Sequence, residues 1–173
     1  MARMDGLRDT LRRTGGIHAV SDRLAQPFPE IARIADAALP LIASALHSAV
    51  RRFGVGEIGC RHMIEQLQRL GGGEMAVAVM SPGDAYARPG EALLDLILPQ
   101  PGARKAVVNA VARKSGTAVW LASAALPVLA MLVGGYVSAR ALEKPEACRF
   151  DELLAQGDDS DLAVVLADAG VTT

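Results

Sequence analysis

The run from Ser115 to Ala139, "SGTAVWLASAALPVLAMLVGGYVSA", carries no charged side chain over 25 consecutive residues. A chain that contains it must either place it across a bilayer or bury it. A hydrocarbon core about 30 Å thick needs roughly 20 apolar helical residues, so length permits a span. Trp120 and Tyr136 stand 16 positions apart, about 24 Å along a helix, a spacing similar to that of the two aromatic belts of a span. Arg113 and Lys114 precede the run and Arg140 and Lys144 follow it, so the charge asymmetry that orients a span is missing.

A second segment, "IADAALPLIASALHSAV" from Ile34 to Val50, repeats the pattern at an offset of 87. Holding that offset from Leu7 to Val50 pairs Leu7 with Leu94, Leu11 with Leu98, Gly15 with Gly102, Ala25 with Ala112, and "ALP" at 38–40 with "ALP" at 125–127. There are 13 identities in 44 positions, against on the order of four expected by chance in so alanine-rich a chain, and a fixed period marks a repeated structural unit. The first copy is amphipathic. Arg33, Asp36, Pro40, Ser44, His47 and Arg51 fall at steps of three and four residues, one polar stripe down a helix otherwise covered by Ile, Leu and Ala. A mid-membrane Arg or Asp costs a few kcal/mol. The first copy is therefore read as a globular helix, and so by analogy is the second.

Composition points the same way. The 173 residues include 3% aromatics, and no long run alternates or concentrates β-branched residues, which suits closely packed helices rather than a sheet. The start, "MARMDGLRDTLRRTGG", never reaches an apolar stretch, so a cytoplasmic location is expected. Cys60 and Cys148 give no disulfide framework and read as free thiols.

Punctuation divides the chain. Met4, Leu7 and Leu11 keep helical spacing up to Gly15-Gly16, Val20 and Leu24 come next, and Pro29 opens the third helix. Pro40 and Pro127 are expected to split or kink the two long apolar segments. "GEIGCRHMIEQLQRL" reads as a helix ended by Gly71 to Gly73. Glu74 to Pro89, broken by Pro82, Gly83 and Pro89, is expected to be a surface connection with little regular structure.

The ordered series "ALPLIASAL", "GEALLDLIL" and "KAVVNAVARKSG" leading into "ALPVLAMLVGG" resembles the YidB-like family of bacterial domains of unknown function, over roughly residues 5 to 140. The resemblance implies an all-helical bundle with no established activity, one that self-associates. The chain departs from that family at "PQPG" before Ala103, and its tail after Ala141 lies outside the resemblance.

The tail shifts in charge. Residues 141–173 hold eight acidic and two basic side chains, net -6, which leaves +5 on the rest of a chain whose total is -1. Phe150, Leu153 and Leu154, then Leu162, Val164, Val165 and Leu166, supply apolar faces for two short helices, expected to dock on the bundle, with a mobile tail as the alternative. The expected organisation is thus an all-α multihelical bundle. Two similar repeats, about 7–50 and 94–137, joined by a connection over about 54–90, form a domain spanning 1–141. A short helical acidic extension occupies 142–173.

No motif carries a reaction. Cys60 and His62 in "GCRH" fall on different helix faces with no second ligand cluster. His18 and His47 stand alone. The triglycine lacks the Lys-Ser/Thr of a phosphate loop. Arg113, Lys114 and Ser115 could cradle an anion, but basic residues ending a helix are what its dipole favours anyway. "GGIHAVSDRLAQPFPEIARIADAAL" has a helix-turn-helix outline, yet its would-be recognition helix carries Arg33 as its single cation in one copy and no charge in the other, against nucleic-acid binding. No catalytic residue, cofactor or metal is expected. Function is read as a non-enzymatic helical scaffold or protein-interaction domain, self-associating, with membrane association through 115–139 or a small-ligand site between the repeats as alternatives. Mapping the polar stripe of the first copy onto the second replaces Arg33, Ser44 and His47 by Trp120, Met131 and Gly134, a composition that suits a buried contact. These three are the expected interaction residues. The expected cover is the apolar side of 150–166 or the same face of a second copy; the alternative is that the repeats pack asymmetrically and place Trp120 inside the bundle core.

Overall fold

In the computed structural model, which describes residues 4–81, 87–143 and 159–171, every regular element is helical. The order is α1 Met4–Arg13, α2 Gly16–Leu24, α3 Phe28–Phe53, α4 Glu57–Arg69, α5 Glu74–Met80, α6 Arg88–Ile97, α7 Ala103–Ser115, α8 Val119–Glu143 and α9 Asp159–Asp168. The all-α bundle expected from the sequence is what forms.

The core is built around α3 and α8, the two long Ala/Leu helices. α8 is packed against α2, α3, α4, α5, α6 and α7. Of its most apolar 18-residue window, mean hydropathy 1.8, 83% is buried inside the bundle. By length and composition α8 could cross a bilayer; a buried central helix satisfies the same test, because both environments remove apolar surface from water.

Pro40 and Pro127 break neither helix: of the two expected forms, split or kinked, the split does not occur, and each proline lies inside one continuous element. A mid-helix proline costs about 3 kcal/mol or more through one lost backbone bond. Burying one Leu or Ile side chain stabilises by about 1.5–3 kcal/mol. Around Pro40 alone Ile34, Leu41, Ile42 and Leu46 are fully buried, so packing outweighs the break.

The two proposed repeats share helix order, α1–α2–α3 against α6–α7–α8. They also share a turn residue: Gly15 (φ 80°) and Gly102 (φ 82°) each precede the middle helix in the left-handed region that favours glycine. Their leading helices pack differently. α6 lies closely along α8, whereas α1 meets α3 only lightly.

The connection holds more structure than its composition suggests. α4 forms as expected, but Glu74–Met80 is a helix, α5, that buries Met75 and Val79 and packs on α8 and α2. The breakers Pro82, Gly83 and Pro89 all come after α5 and leave it intact. Arg23 of α2 holds the far end of α5, its Nη2 donating to the carbonyls of Ala78 at 2.6 Å, Val79 at 3.2 Å and Ser81 at 3.2 Å. Carbonyls that no further turn can satisfy thereby gain a charged donor. In the extension, α9 docks on α3 and α7 through Leu162, Val165 and Leu166, with Val164 on the wet side. Cys148 and the helix expected around Phe150, Leu153 and Leu154 lie outside the described residues.

Candidate functional site

Trp120, Met131 and Gly134 do not form one face. Met131 is 2% exposed. Gly134 is buried so tightly that a Cβ there would stand 2.8 Å from Leu93 Cδ2 and 3.1 Å from Met75 Cε. Ser138, in the same mapped stripe, is also buried and accepts from Gln68 Nε2 at 2.7 Å. The cover over this half of the stripe is therefore α4, α5 and α6 of the same chain, neither the tail nor a second copy. Mapping between repeats missed it because α4 and α5 have no counterpart in the first copy and because α6 packs on α8 far more closely than α1 packs on α3. The first copy is itself less wet there than its polar residues suggest: Ser44, the counterpart of Met131, is fully buried, His47 is half-buried, and of these three only Arg51 is exposed.

Trp120 differs. It is 62% exposed, beside Val119 at 53%, and both open the first turn of α8. The preceding turn is fixed: Ser115 Oγ bonds the Val111 carbonyl at 2.6 Å and shares a hydrogen bond of 2.7 Å with Thr117 Oγ1. Gly116 closes α7 with φ 65°. An indole that could have been buried is thus held out on a well-anchored shoulder. One large apolar residue on a surface is unremarkable, but two adjacent ones on a rigid turn form a small contact point.

Other sequence candidates have structural roles. Cys60 is buried and His62 exposed, on opposite sides of α4. His18 stacks on Phe28 with ring centroids 4.0 Å apart. Among the described residues no three His, Cys, Asp or Glu side chains are grouped to hold a metal ion. Arg52 reaches the Leu96 carbonyl at 3.1 Å, and partial burial lowers its pKa from the ordinary arginine value; it closes the end of α6 against α3.

A surface depression of about 450 Å³ is lined by Arg33, Asp36, Ala37 and Pro40 of α3 and by Lys114 of α7. Sequence reasoning had Lys114 as a helix-end cation and Arg33 and Asp36 as one edge of a stripe. It had no signal that α1 would add Arg8 and Arg12 to Asp36. Those pairings span 28 and 24 positions and depend on how α1 folds back. No family model, no curated protein and no solved structure matches this chain.

Proposed function

We propose that this chain is a YidB-like helical interaction domain without catalytic chemistry, working in the cytoplasm and associating with a second copy of itself through the Val119–Trp120 shoulder. The observation that carries this reading is the contrast within α8: its length is buried while its only tryptophan, 62% exposed, stands at its tip. Tryptophan is among the residues most enriched where partners dock, since it buries much apolar area with few rotors to fix. A symmetric pair of such shoulders would cover both indoles around a two-fold axis.

The test is molar mass by light scattering across a concentration series, for the natural chain and for Trp120→Arg. The natural chain is expected to gain mass with concentration and the variant to remain monomeric. Its melting temperature should stay within about 2 °C, because the substituted side chain is outside the core and surface changes are worth about 0.5 kcal/mol or less. Equal masses for both chains at every concentration would sink the reading.

A further inference from the structure

Two arginines pair with one carboxylate that lines the depression, and two further cations line it as well. Arg8 closes a fork on Asp36, with Nε 2.7 Å from Oδ1 and Nη2 2.8 Å from Oδ2; the Nε contact is an ion pair without good hydrogen-bond alignment. Arg12 Nη2 stands 3.5 Å from Oδ1. Arg33, one turn before Asp36, and Lys114, in the last turn of α7, line the same depression. Among the described residues Arg33 and Lys114 take part in no ion pair, and neither do Asp9 and Glu30, the other carboxylates of α1 and α3 whose side chains are described.

Charge and geometry together favour an anion. Asp36 offers two oxygens, and the Arg8 fork occupies both, which orders Arg8 without neutralising its neighbours. Three positive charges remain uncompensated around a concavity. Like charges around one concavity raise its positive potential, and an added dianion lowers it while gaining its own ion pairs. The depression falls within the roughly 300–1,000 Å³ typical of small-molecule sites. Ala37 and Pro40 give it an uncharged floor on which an organic group can pack. It holds no aromatic side chain on which bases could stack, against a nucleic-acid strand.

We propose that this depression binds a small organic phosphate monoester, with Arg33 and Lys114 holding the anion, Arg12 adding positive potential from beside Asp36, and Ala37 and Pro40 packing the carbon skeleton. The site draws on α3 of one repeat and α7 of the other, and it is independent of the Trp120 shoulder.

Isothermal titration of the full chain with phenyl phosphate, inorganic phosphate and phenol tests it. Phenyl phosphate is expected to saturate at one per chain, inorganic phosphate to bind more weakly at the same site, and phenol not to bind. The double variant Arg33→Gln/Lys114→Gln should lose affinity for phenyl phosphate about tenfold or more, since both charge-assisted contacts to the anion are removed. Arg61→Gln, on α4 and outside the depression, should keep the natural affinity. Both variants alter exposed side chains, and an unchanged melting temperature confirms that each is folded. Absence of saturable phenyl phosphate binding overturns the proposal. So does a double variant that binds as well as the natural chain, or an equal loss in Arg61→Gln, which would mean only diffuse attraction to surface charge.

Discussion

Two glycines set how closely helices approach the centre. A Cβ at Gly90 of α6 would collide with the Pro127 carbonyl oxygen of α8, and one at Gly135 would stand 2.6 Å from both the backbone nitrogen and the Cβ of Ala76 in α5. Both obstacles involve backbone, which cannot swing aside as a side-chain tip can. Gly90→Ala is therefore expected to destabilise by about 3 kcal/mol or more, at the upper end of overpacking penalties, and to lower the melting temperature by roughly 10 °C for a chain of this size. Gly73→Ala is the contrast: its backbone is α-helical and its added Cβ would meet Ala139 Cβ at an ordinary 3.8 Å. Thermal melts of the two variants decide the matter, and a Gly90→Ala protein as stable as Gly73→Ala would remove close backbone packing from the account. Neither contact was legible in the sequence. "RPGEALL" and "LVGGYV" advertise small residues, but nothing local pairs them across the intervening chain.

At the level of elements, legibility tracked the period of the apolar residues. α9 was readable because Leu162, Val165 and Leu166 recur at helical spacing, and those three are the buried ones. α5 was hidden because seven residues, "EMAVAVM", are too short to show a period, and because nearby prolines and glycines suggested a loop. Its stability comes instead from Gly135 beneath it and from Arg23 at its end. Loss of that guanidinium in Arg23→Ala should leave the global melting temperature within a few degrees. It should also raise amide exchange in Ala78 to Ser81 severalfold, the mark of a local opening that does not unfold the whole; unchanged exchange there would show that Arg23 holds nothing. α9 offers a sharper pair of substitutions on neighbouring positions. Val165 is 8% exposed and Val164 57%, so Val165→Asp must place a charge in the α3–α7 groove or release the helix, whereas Val164→Asp points into water. Limited proteolysis should cleave the Val165→Asp chain after Glu143 well before the natural chain and leave Val164→Asp unaffected. Equal cleavage of both would mean that α9 owes its position to something other than its apolar face.

For the molecule as a whole, the uncharged run could not be resolved by counting residues, since a bilayer and a protein core reward the same composition. The charges on the paler segment were the useful signal: Arg33 and Arg51 are exposed on α3, although Ser44 between them is fully buried, and the bundle buries α8 by surrounding it with six other helices. What the repeat could not show is that α4, α5 and α6 would take up one side of α8 while its first turn stays outside. This division of α8, buried along its length and exposed at its tip, has a spectroscopic consequence, because the chain holds a single tryptophan. In dilute solution Trp120 should emit as a hydrated indole and be quenched by acrylamide at close to the rate of the free amino acid. As concentration rises and shoulders pair, emission should shift to the blue and quenching should fall, while the far-ultraviolet helical signal stays constant. A chain whose α8 sits in lipid would behave otherwise: it would be recovered only with detergent, and its indole would be protected at every protein concentration. Recovery in the detergent-free fraction with a quenchable, concentration-dependent Trp120 is the expected result. An indole that is protected even in dilute, detergent-free solution would contradict the exposed shoulder itself, and with it the surface on which self-association is argued.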